Sequence, residues 1–120
     1  MFSIKIDVMR EAAEMRLLGT QGEVQLAEFV RELEQMIAED AIPVRSVLYD
    51  RSAARLMSAR NDRWLARIQE LLLSVDGVKI AEVMAQGEPY TPCLSSQWQR
   101  FEKLSDAQSW LLKRIDDVAA

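Results

Sequence analysis

Three arginines at helical spacing are the first residues that suggest a chemistry. Arg60, Arg63 and Arg67 recur at i, i+3 and i+7, which puts them on one face of a helix. Upstream, Asp50 closes a short apolar run, and Ser52 and Ser58 follow it. If that run is a strand of an open α/β sheet, its carboxyl end is where ligands collect. The start of the helix beyond it favours anions. The chemistry on offer is recognition of an anion or of an acidic partner. A solvated helix face, with arginine stems covering apolar surface, gives the same spacing. Ser58 reads first as an N-cap that accepts a backbone N–H from Arg60 or Asn61, and Ser52 as the cap of a helical turn. Asp50 reads as a turn or cap carboxylate. It has no histidine partner, and no second carboxylate stands at a spacing that suits acid–base work.

The missing residue types narrow the chemistry further. There is no histidine, which removes imidazole bases, Ser-His-Asp and Cys-His nucleophile pairs and His-ligated metals. The single cysteine, Cys93, can form neither an internal disulfide nor a Cys-x-x-Cys site. It reads as a small buried hydrophobe. No cofactor or metal site is expected, and an enzyme is not the expectation.

Charge argues against nucleic acid as a partner, because the chain carries a net −4 with a pI near 4.9 and phosphate backbones need a basic surface. The distribution is uneven. Residues 1–50 hold a net of −5, residues 51–67 a net of +4 and residues 68–120 a net of −3. The positive segment holds Arg51, Arg55, Arg60, Arg63 and Arg67 against Asp62.

The elements that must position these residues follow from periodicity. Phe2, Ile4, Ile6 and Val8 alternate with polar residues, and Ala13, Met15 and Leu17 do so again, which predicts an antiparallel opening pair of strands. Gly19 ends the second strand. Thr20 to Glu23 has the form of a capping box, and Leu26, Phe29, Val30, Leu33, Met36 and Ile37 then recur at helical spacing. Val44–Tyr49 reads as a central strand, and about Met57 to Val75 as a second helix stopped at Asp76-Gly77. Val78–Ala85 is the next strand and Trp98–Lys103 the last. A second capping box at Ser105 to Gln108 opens a C-terminal helix with Trp110, Leu111, Ile115 and Val118 on its apolar face. Strands alternating with helices predict an α/β fold. It is a mixed, largely parallel sheet of about five strands with helices packed on it. At 120 residues the chain suits one domain, 1–120.

The order and the local sequences resemble the STAS domains, and within them the SpoIIAA-like bacterial anti-sigma-factor antagonists. Three pieces carry the likeness: the opening strands ending in Gly19 before a capped helix, the strand VLYD ending in Asp50, and the tail WQRFEKLSDAQSWLL. The resemblance implies a role for Asp50 in holding a neighbouring loop. It also implies a phosphorylatable serine at the start of the second main helix. That position falls on Ala59, with Ser58 beside it, and the glycine that normally follows is absent from MSARND. Ser58 is therefore expected not to act as a phosphorylation switch. The family's third helix has only Gln86–Gln97, with two prolines, to occupy its place, so a shortened helix or a loop is expected there. Trp98 or Tyr90 would then edge a hydrophobic crevice.

Taken together, the expected function is a non-enzymatic STAS-like interaction or regulatory module. Its candidate partner surface is Asp50, Ser52, Ser58, Arg60, Arg63 and Arg67. The alternative is a small apolar-ligand carrier, since SpoIIAA-like proteins are similar in fold to the CRAL-TRIO lipid-binding class and the chain has 6 Met. The partner is another protein or such a ligand, and a homodimer is also left open. No signal peptide or membrane span is expected. A lone cysteine suits a reducing cytoplasm.

Overall fold

The computed structural model describes residues 2–7, 9–39, 45–56, 62–75, 77–85 and 97–112. In chain order the strands and helices are β1 (Phe2–Asp7), β2 (Ala12–Leu17), β3 (Gly19–Gln21), α1 (Glu23–Ala38), β4 (Ser46–Asp50), β5 (Ala54–Leu56), α2 (Asp62–Leu73), β6 (Lys79–Val83), β7 (Trp98–Phe101) and α3 (Leu104–Leu112).

Five of the strands form one sheet in the order β1-β2-β4-β6-β7. β1 and β2 run antiparallel, and every other neighbouring pair is parallel. This is the mixed, largely parallel α/β sheet expected from the alternation of elements. The opening turn has no glycine. Glu11 takes the left-handed conformation there, with φ 51°, which is uncommon for a residue with a side chain. Its carbonyl accepts the Arg45 N–H at 2.7 Å, so the turn is tied to the approach of β4.

Strand alternation divides the sheet into two faces. Met15, Leu17, Val47, Tyr49, Ile80 and Trp98 pack with Leu26, Phe29, Leu33, Ile68 and Leu72 of α1 and α2. On the opposite face Leu48, Ala81 and Val83 meet Ala107, Leu104 and Trp110 of α3. Central strands buried on both faces become near-continuous apolar runs, and β4 and β6 do so.

Several boundaries differ from the sequence pattern. β2 stops at Leu17, before Gly19, as expected, but Gly19 does not lead straight into α1. It opens β3, which pairs in parallel with β5 as a separate two-stranded sheet. Gly19 has φ +74° and donates its N–H to the Ala53 carbonyl at 2.9 Å. Three-residue strands carry too little periodicity to be seen in sequence. Thr20 therefore lies in β3 and is not a cap. The N-cap of α1 is Gly22, whose N–H is accepted by Gln25 Oε1 at 2.9 Å. Likewise, Ser105 falls inside α3, which starts at Leu104. α2 begins at Asp62, and the expected start near Met57 falls outside the described residues. So do the end of the C-terminal helix beyond Leu112, Cys93, Tyr90 and nearly all of the Gln86–Gln97 stretch. Gly77, with φ +71°, sits just past α2 as the stop signal predicted.

Candidate functional site

The carboxyl end of β4 carries two consecutive charged residues that leave the sheet in different directions. Asp50 is buried and by alternation shares the Leu48 face. Its Oδ1 accepts the Ser52 backbone N–H at 2.9 Å and the Ser52 hydroxyl at 2.6 Å. An aspartate bonding the backbone two residues on forms an Asx-type turn. Ser52 thus completes a turn rather than capping a helix. Arg16, the register partner of Asp50 on β2, brings its Nε to 3.7 Å from Asp50 Oδ2 and to 2.7 Å from Glu14 Oε1.

Arg51 turns under the sheet. Its backbone N–H bonds the Val83 carbonyl at 2.9 Å, and its own carbonyl accepts the Ala54 N–H at 3.0 Å. Its guanidinium meets Glu82 of β6 with two donors, Nε at 2.8 Å and Nη2, both on Oε2. The other carboxylate oxygen accepts Trp98 Nε1 and Arg100 Nε, each at 2.9 Å, from β7. Four N–H donors from two chain segments, the link after β4 and strand β7, therefore converge on one carboxylate. The Arg51 and Glu82 side chains are 3% and 4% exposed. A buried charge is tolerated only when it is paired and hydrogen-bonded in this way.

A cleft of about 230 Å³ opens beside this cluster, with Tyr49, Arg51, Glu82, Trp98 and Arg100 on the sheet side and Leu65 and Gln69 on the α2 side. Trp98 edges it, but charged groups make up much of the wall, so it is not the hydrophobic crevice expected beside the Gln86–Gln97 stretch, which apart from Gln97 lies outside the described residues. Tyr49 stands edge-on to Trp98 with ring centroids 6.1 Å apart, and Arg51 lies 5.8 Å from the Tyr49 ring centre.

Arg63 and Arg67 lie on α2 and are turned toward α1. Arg63 pairs with Glu23 at 2.5 Å, and Arg67 lies 3.8 Å from Glu34 and 3.0 Å from Glu70. The acids of α1 thus balance them. Arg63 also lies over the Trp64 ring at 5.3 Å. The structure joins Asp50 to Ser52 and brings Arg63 and Arg67 to the α1–α2 seam. No contact among the described residues joins these two groups. Ser58 and Arg60 lie outside the described residues. Among the described residues, no group of three or more His, Cys, Asp or Glu side chains could hold a metal ion. No helix there is long and apolar enough to cross a membrane.

Sequence reasoning missed the Glu82 cluster. One signal was available: Glu82 interrupts Val78–Ala85, a strand that is otherwise nearly all apolar, and a charge in such a run needs a partner. Nothing local names Arg51, which lies 31 positions away.

This arrangement of sheet and helices is the SpoIIAA-like fold. Among solved structures, the anti-sigma factor antagonist SpoIIAA in its unphosphorylated form aligns over 100% of this chain and 99% of its own, with a TM-score of 0.61 and 12% identity. An uncharacterized DUF3478-family protein with a SpoIIAA-like fold, from Shewanella loihica PV-4, aligns over 92% of this chain and 93% of its own. Its TM-score is 0.55 and its identity 20%. The chain matches no protein-family model. No curated protein matches it either.

Proposed function

We propose that the chain is a non-enzymatic regulatory module that works by docking another protein, with the Asp50–Ser52 turn at the centre of the docking face. The observation that carries this reading is the end-to-end structural likeness to an anti-sigma factor antagonist. The turn adds a local reason. It stands at the carboxyl end of a central parallel strand, where open α/β sheets place their binding groups. Its hydrogen bonds hold it in a fixed shape, and a preorganised surface loses less entropy on binding. Arg63, on the exposed part of α2, extends the face toward α1, and we assign Ser58 and Arg60 to the same surface. On this reading residues 1–120 act as one domain in a bacterial cytoplasm, without a cofactor.

A small apolar ligand fits the described cleft poorly. Its volume of about 230 Å³ falls below the roughly 300–1,000 Å³ of usual ligand pockets, and two guanidinium groups and a carboxylate line it.

The test is affinity capture from the native host with the parent chain and with Arg63→Glu plus Arg67→Glu. The expected result is one defined protein held by the parent and released by the charge reversal. Equal capture by both would remove the arginines from the face. An acyl species co-purifying in native mass spectra, with no protein partner, would overturn the docking reading.

A further inference from the structure

We infer that Glu82 is the positioning residue of the Asp50–Ser52 turn: the buried carboxylate clamps Arg51 from inside the molecule and so fixes the backbone that presents the turn. This rests on the docking reading only for the turn's use, not for the clamp itself.

The geometry requires a positioning device at this point. Asp50 is the last residue of β4, and β5 does not start until Ala54. Three residues must carry the chain from the main sheet to the small one. Inside that link, Arg51 alone among the described side chains reaches beneath the sheet. Its guanidinium fork makes two bonds to one oxygen of Glu82, so both the position and the plane of the side chain are set. Its backbone is fixed on both sides, by the Val83 carbonyl and by the Ala54 N–H. With residue 51 held at its side chain, its N–H and its carbonyl, residues 50 and 52 have little freedom left. The Asp50–Ser52 hydrogen bonds close on a frame that is already set.

Glu82 is in turn prevented from moving. Trp98 Nε1 and Arg100 Nε hold its second oxygen, and Trp98 is packed in the core beneath α1 and α2. The turn is thus tied through Arg51 and Glu82 to β7, two strands away in the sheet order. Leucine at position 82 would satisfy the apolar pattern of β6 and leave the turn without this tie. The clamp therefore explains a charged residue in a strand where packing alone asks for none.

Amide hydrogen exchange of the whole chain tests this without any partner. Glu82→Gln keeps the size of the side chain and removes its charge. The expected result is faster exchange, by about tenfold or more, at Arg51, Ser52 and Ala54, with α1 and β2 amides unchanged, because local opening is separable from global unfolding. Unchanged exchange at these three amides would overturn the inference. A uniform rise across the sheet would overturn it too, since it would mark general destabilisation. If Glu82→Gln does not fold, Arg51→Lys decides: it keeps the charge and loses the fork. The same local rise supports the clamp, and its absence overturns it. Faster exchange at these amides with partner capture unchanged would leave the clamp standing and count against the docking reading.

Discussion

Two arginine–glutamate pairs in this chain have the same chemistry and opposite settings. Arg51 and Glu82 are almost wholly enclosed, whereas Arg63 and Glu23 keep 72% and 62% of their side-chain surface. The enclosed pair joins the link after β4 to β6 and recruits β7. The open pair bridges the first turns of two helices. In water the attraction between opposite charges at contact is screened and offset by side-chain entropy. Inside the sheet the same attraction is stronger, but each ion has lost its hydration. The buried pair therefore adds little over a well-packed apolar pair, yet removing one partner is costly. Its position, more than its energy, is what the fold uses.

The largest effect should come from breaking the enclosed pair on one side. Glu82→Leu leaves two guanidinium groups facing a lost carboxylate, and it should cost about 3–5 kcal/mol in urea unfolding. A cost near zero would mean that Arg51 and Arg100 relax to water and that burial does not set the energetics here.

Trp98→Phe sharpens the comparison by removing one donor while keeping most of the ring. With a charge-assisted bond lost from a buried carboxylate, the expected cost is about 1.5–3 kcal/mol, read from the same unfolding curves. Ser52→Ala comes next. It removes one of the two bonds to Asp50 Oδ1 and should cost about 1 kcal/mol, with faster exchange at Ser52 and Ala54 before any shift in the unfolding midpoint.

The smallest effect belongs to the open pair. A double-mutant cycle on Arg63 and Glu23 should return a coupling of about 0.2–1 kcal/mol, reduced further in 1 M salt, where screening acts over about 3 Å. A coupling that equals the one measured for Arg51 and Glu82 would erase the contrast between the two regions.

The fold was largely legible because long periodic segments advertise themselves. The α1 stripe from Leu26 to Ile37 and the apolar runs of β4 and β6 each follow from spacing alone. The short sheet of β3 and β5 was not legible, because three residues show no period and its pairing joins positions 35 apart. The caps at Thr20 and Ser105 were misplaced for a related reason: the motif is short, and tertiary pairing at Gly19–Gln21 took the residues it needed. At the site, Asp50 was visible as a turn carboxylate, whereas Ser52, read as the cap of a helical turn, instead completes the turn that Asp50 forms. The arginine face was visible as spacing, but the acids that meet it, Glu23 and Glu34 on α1, become neighbours only when two helices pack. The Glu82 cluster was the hardest to see, since it gathers residues from positions 51, 82, 98 and 100.

The docking face requires the partner to sit on the Asp50–Ser52 turn. A photo-crosslinking residue at position 52, with a second placed at Lys5 on the edge strand β1 as a control, measures this directly in the native host. Docking at the turn predicts one discrete protein adduct from position 52 and none of that mass from position 5. The same adduct from position 5, or none from position 52 while capture persists, would contradict it.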